Sequence, residues 1–126
     1  MTKFGFALAF VVALSGAAFA QHKHGATGPN GGPMEDVAGV HAELIASGTT
    51  LTINVVDEDG KPVKAAGYSA SALVVTGSQR ETVKLEPAGD SALKATLKSP
   101  VATNTQVTLR LKTADGKSGQ ARFTVK

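Results

Sequence analysis

Hydrophobic and polar residues alternate with a period of two along most of the chain after residue 36. In the segment 105–113, for example, Val107, Leu109 and Leu111 are separated by threonine and arginine. Successive side chains of an extended strand point to opposite faces, so this period is typical of strands with one face in a core and one in water. A helix would need apolar residues every three or four positions. The alternation therefore predicts an all-β protein.

Clusters of turn-forming residues separate the alternating segments. One of them, Asp115-Gly116, lies between segments 105–113 and 118–125. Asp-Gly between two alternating segments is a strong hairpin signal, so we expect these two segments to pair directly. The spacing of the clusters leaves room for about seven short strands, which favours an antiparallel two-layer sandwich of immunoglobulin-like architecture over residues 37–126. A small closed barrel is the alternative.

The first twenty residues have the features of an export signal. Lys3 supplies a positive charge, residues 4–14 are apolar, and an Ala-Phe-Ala cleavage site occupies 18–20. We therefore expect residues 1–20 to be a Sec signal peptide, and the product to be periplasmic or secreted without stable membrane insertion. Residues 21–36 are rich in glycine and proline and contain two histidines, and this composition predicts a flexible tail.

The composition excludes several classes of function. The chain has no cysteine, which excludes disulfides, thiol nucleophiles and cysteine-based zinc sites. Its formal net charge of +3 is too small to indicate a nucleic-acid partner. It also lacks the sequence motifs of serine hydrolases, P-loop proteins, zinc proteases and dinucleotide-binding enzymes. We therefore do not expect an enzyme.

Histidines concentrated near the predicted mature N-terminus are the main candidates for a binding site. His22 and His24 are two positions apart, as are His41 and Glu43, and side chains at i and i+2 of an extended segment share a face. Imidazole binds Cu(II), Zn(II) and Ni(II), and a carboxylate completes the shell or orients the ring. The thioether of Met34 would favour Cu(I). These five residues form the predicted metal site, and His41 and Glu43 are expected on the outward face of their strand.

The order of these motifs resembles a known family. The chain has His-Lys-His-Gly at 22–25, Gly-Pro-Asn-Gly-Gly at 28–32 and His-Ala-Glu-Leu at 41–44. This order is similar to the N-terminal metal-binding segment of periplasmic adaptor proteins of heavy-metal efflux systems, and to small periplasmic proteins related to them. The resemblance covers about residues 22–45, while Pro-Met-Glu-Asp at 33–36 departs from the apolar residues of that pattern. It points to His22, His24, His41 and, less directly, Glu43.

The expected function is therefore binding of a divalent transition metal ion or copper. The resemblance implies a chaperone or buffer for Cu, Zn, Ni or Co that is associated with metal efflux or tolerance, with a pump adaptor as its protein partner. The alternative is an immunoglobulin-like module that binds a protein or envelope polymer through an edge strand or loops, with no role for metal.

Overall fold

A computed structural model describes residues 26–126, which form nine strands and no helix. Between residues 26 and 126, no helix has the length and apolar character needed to cross a membrane. The strands are β1 (Ala26–Thr27), β2 (Pro33–Val37), β3 (Val40–Ser47), β4 (Thr50–Val56), β5 (Ser69–Thr76), β6 (Gln79–Pro87), β7 (Ala92–Thr96), β8 (Gln106–Lys112) and β9 (Ser118–Thr124).

All nine strands belong to one antiparallel sheet, in the order β1-β2-β3-β4-β7-β6-β5-β8-β9, curled into a half-barrel. The strand β6 joins the two halves of the sheet. Its residues 79–85 pair with β5, and its last two residues, 86–87, pair with β7. The strand β9, at one end of the sheet, approaches the chain where β2 ends, because a Cβ added to Gly119 of β9 would lie 2.7 Å from the backbone nitrogen of Ala38.

The core lies on the concave side of the curled sheet. Alternate positions of β4, β5, β8 and β9 point inward, as the period of two requires. Aliphatic side chains dominate, and Phe123 is the one aromatic residue of the buried cluster between residues 26 and 126. The largest of the fully buried aliphatic side chains are Leu51, Ile53, Leu85, Leu93, Leu109 and Leu111.

The all-β fold and the pairing of segments 105–113 and 118–125 are confirmed, because β8 and β9 form a hairpin. The strand count is nine where the sequence indicates about seven. The two additional elements are β1 and β2, and all of their residues except Val37 lie in the segment 21–36 expected to be a flexible tail. The separation into two layers is not confirmed, because β6 runs from one half of the sheet into the other.

The turn between β8 and β9 holds the carboxylate of Asp115 through a side-chain hydrogen bond. The hydroxyl of Thr113 donates to the carboxylate of Asp115, and the backbone N–H of Lys117 donates to Thr113 Oγ1 at 3.1 Å. The hydrogen bond from Thr113, followed by the charge of Lys117, lowers the pKa of Asp115 below its ordinary value.

This lowered pKa predicts that Asp115 contributes to acid sensitivity. A carboxylate whose pKa is lower in the folded chain stabilises the fold above its unfolded pKa of about 3.9, and that contribution is lost as pH falls through the folded pKa. Urea unfolding at neutral pH and near pH 3 measures how much free energy of unfolding is lost in acid. We expect this loss to be smaller in Asp115→Asn than in the native chain. Asp90→Asn, the same change in another turn, is the control. Equal acid dependence in the native chain and Asp115→Asn would contradict this role.

Candidate metal centre around His41

His41 is paired with a carboxylate on the neighbouring strand. It lies on β3 directly opposite Asp36 of β2, and its Nδ1 contacts Asp36 Oδ1. The side chains are 24% and 57% exposed, so the pair lies at the surface. When Nδ1–H donates to a carboxylate, Nε2 keeps the lone pair that a metal needs, and the ring is held in one orientation. The pair is therefore a suitable half of a metal centre.

A tight hairpin produces this pairing. Ala38 and Gly39 connect β2 to β3 with φ angles of 51° and 83°, the positive values of a two-residue type I′ turn. This turn pairs residue 37 with 40, and so residue 36 with 41. Asp36 was not among the ligands predicted from the sequence. The signal was present in Ala-Gly at 38–39, because a two-residue hairpin centred there makes positions 36 and 41 partners.

Met34 and Glu43 lie on the same face of the sheet as Asp36 and His41. Met34 is opposite Glu43 in the register of β2 and β3, two residues from the Asp36–His41 pair on each strand. Directly opposed residues share a face, as do residues two apart. The four side chains therefore form a two-by-two array. Three of them, His41, Glu43 and Met34, were predicted from the sequence.

The sequence predicts that Glu43 points to the outward face of β3, and its side chain lies on that face. It is nevertheless fully buried, because residues 28–32 fold over it. Its carboxylate accepts hydrogen bonds from Asn30 N at 2.8 Å, Asn30 Nδ2 at 2.7 Å and Gly32 N at 3.0 Å. To bind a metal, Glu43 would have to give up hydrogen bonds that hold this turn.

The turn is built closely around the Glu43 carboxylate. Its backbone is closed by Gly28 N donating to Gly32 O at 2.7 Å and by Gly31 N donating to Gly28 O at 3.0 Å. A Cβ on Gly28 would lie 2.4 Å from Glu43 Oε2, and one on Gly32 would lie 2.1 Å from the carbonyl oxygen of Leu44. The motif Gly-Pro-Asn-Gly-Gly and the glutamate of His-Ala-Glu-Leu are thus parts of one structural unit.

The other two predicted ligands, His22 and His24, lie outside the described residues. Within residues 26–126, histidine and acidic side chains do not form a group of three or more able to hold a metal ion. A complete site at His41, oriented by Asp36, would therefore need further ligands.

Comparison with protein families, with curated proteins and with solved structures finds no match to this chain.

Proposed function

We propose that this protein binds a transition metal ion, Cu, Zn, Ni or Co, in the periplasm, and acts as a chaperone or buffer in metal efflux or tolerance. The observation that carries the proposal is the His41–Asp36 pair, because a carboxylate at Nδ1 is the usual partner of a histidine that binds metal through Nε2. The export signal and the resemblance to efflux adaptor segments support the location and the role.

The register of β1 suggests how an N-terminal histidine joins this pair. Ala26 is opposite Met34, which is two residues from Asp36 on the outward face of β2. Ala26 begins β1, and His24 precedes it by two residues in the sequence. We propose that His24 and His41 bind one ion, with His22 as a further ligand.

The chemistry of the array suits exchange of the ion. Two or three imidazoles give moderate affinity, and imidazole nitrogen accepts Cu(II), Ni(II), Zn(II) and Co(II). The half-buried thioether of Met34 lies on the same face and would add a soft ligand for Cu(I). Binding should weaken in acid, because protons compete with the metal for imidazole nitrogen.

Substitution of the site residues tests the proposal. We expect His41→Ala and the double change His22→Ala, His24→Ala each to weaken Cu(II) binding at neutral pH by more than tenfold, and Asp36→Asn to weaken it by about tenfold through loss of ring orientation. Calorimetric titration of the mature chain measures these affinities, and electron paramagnetic resonance reports nitrogen ligation of the copper.

Asp90→Asn is the matched control, because it removes one exposed carboxylate in the turn between β6 and β7, outside the proposed site. Its affinity should equal that of the native chain. Unchanged Cu(II) affinity and an unchanged spectrum in His41→Ala would exclude His41 as a ligand.

The second candidate is an immunoglobulin-like module that binds another protein. One observation favours it. The strand β9 is last in the sheet, and among the described residues its outer edge pairs with no other strand. In this proposal the two halves of the curled sheet act as the two layers of a sandwich, since both contribute to one core. A mature chain shortened to begin at residue 26 discriminates between the candidates. It keeps β1 and the turn over Glu43, so partner binding would persist while metal binding would be lost.

A further inference from the structure

Positive charge is concentrated on the outward face of β6, β5, β8 and β9. The register of these strands aligns Lys84, Ser71, Arg110 and Gln120 in one row across the sheet. The rows on either side contribute Lys112 and Arg122, and the row beyond that of Arg122 contributes Arg80. All five cationic residues are exposed. We call this surface the basic face, and it consists of Arg80, Lys84, Arg110, Lys112 and Arg122.

Few acidic residues lie on the basic face itself, and Glu35 and Asp36 of β2 lie beside Arg122 at its margin. Glu86 of β6 is its one outward-facing acidic residue within the four strands, and Lys84 Nζ lies 3.9 Å from Glu86 Oε1. Among the described residues, the other four cations form no ion pair. The outward positions of β2, β3, β4 and β7 differ, because they hold Asp36 and Glu43 and one cation, Lys94. The outward positions of β6, β5, β8 and β9 are therefore more positive than those of the other strands.

The cations are spread in two dimensions. Arg110 and Lys112 are two residues apart on β8, about 7 Å, while Lys84 and Arg110 are two strands apart, about 10 Å. Leu73 and Val75, which are partly exposed, lie on β5, between the cation-bearing strands β6 and β8. The outward positions of these four strands contain no aromatic residue on which a base or a sugar ring could stack. This arrangement fits a layer of phosphate groups better than a single polymer strand.

We propose that the basic face docks on a bilayer surface that contains anionic phospholipids. Each Lys or Arg held near such a surface strengthens binding by about fivefold at moderate ionic strength. The docking is peripheral, through phosphate headgroups, with the small exposed parts of Leu73 and Val75 against the interface. His41 lies on β3, outside the basic face, so metal binding and membrane docking use different residues.

Vesicle sedimentation with charge-matched variants tests this proposal. The mature protein is mixed with phosphatidylcholine vesicles that contain or lack phosphatidylglycerol. We expect binding only to the anionic vesicles, and loss of that binding at high salt. The triple variant Lys84→Gln, Arg110→Gln, Lys112→Gln should bind at least about tenfold more weakly. The control Lys61→Gln, Lys64→Gln, Lys94→Gln removes the same charge from other surfaces and should bind like the native chain.

Three results would overturn the proposal. The first is no binding of the native chain to the anionic vesicles. The second is equal weakening in both triple variants, which would indicate an effect of net charge alone. The third is tighter binding to heparin or duplex DNA than to the vesicles, which would assign the face to a soluble polyanion. Circular dichroism of both variants verifies that the folded strands are retained.

Discussion

Glu43→Ala is expected to lower the free energy of unfolding by about 3–4 kcal/mol, because it removes three charge-assisted hydrogen bonds and leaves their donors without partners. The side chain is completely buried, and its carboxylate holds both the backbone and the amide of Asn30 as well as Gly32 N. Urea unfolding of residues 21–126, followed by circular dichroism, measures the loss. The result would identify the glutamate of the His-Ala-Glu-Leu motif as a structural residue.

Two further variants make this prediction specific. Glu43→Gln keeps the shape but presents N–H groups to donors, so we expect an intermediate loss of about 2 kcal/mol. Glu86→Gln, at an exposed position, should change stability by less than about 0.5 kcal/mol. A loss below about 1 kcal/mol in Glu43→Ala would show that the turn does not depend on the carboxylate.

Gly32→Ala is expected to destabilise the fold by about 3 kcal/mol, because its Cβ has no room. The new atom would lie 2.1 Å from the carbonyl oxygen of Leu44 and 2.7 Å from Ile45 Cδ1. The carbonyl belongs to the backbone of β3, so the turn itself must move away. That movement would also lengthen the hydrogen bond from Gly32 N to Glu43. Thermal and urea unfolding of the variant measure the effect.

Gly31→Ala is the matched control in the same turn. Gly31 has a φ of 85° and open space around the added Cβ, so the cost comes from backbone conformation alone. We expect about 1–2 kcal/mol for placing alanine in that region. Gly32→Ala should therefore be the more destabilising of the two. The reverse order would show that steric contact with β3 is not what requires glycine at position 32.

The turn over Glu43 also bears on the proposed metal site. It connects β1 to β2, and β1 directly follows the segment that contains His22 and His24. The turn thus sets where this segment starts relative to Asp36 and His41. Glu43→Ala and Gly32→Ala would weaken metal binding through the turn, whereas His41→Ala would weaken it without a comparable loss of stability. Measuring stability and affinity in the same variants separates the two roles.

Much of the strand structure was predictable because its signals are local. The alternation in β8 and β9 and the Asp-Gly between them specify a hairpin without help from the rest of the chain. Residues 26–37 were not predicted as strands, because five of the twelve are glycine or proline and few apolar side chains indicate a period. They form β1 and β2 because β2 pairs with the edge of β3, β1 pairs with β2, and the buried carboxylate of Glu43 on β3 binds the turn between them.

The sequence by itself determined most of the strands after residue 37, the hairpin of β8 and β9, and that histidine, methionine and carboxylate are the candidate metal ligands in a chain without cysteine. Only the tertiary structure decided that Glu43 is enclosed by the turn, that Asp36 contacts His41, and that five cations share one face. The physical reason is the range of each interaction. Strand period and turn conformation depend on neighbours in sequence, whereas burial and pairing across strands depend on which distant segment folds back over each face.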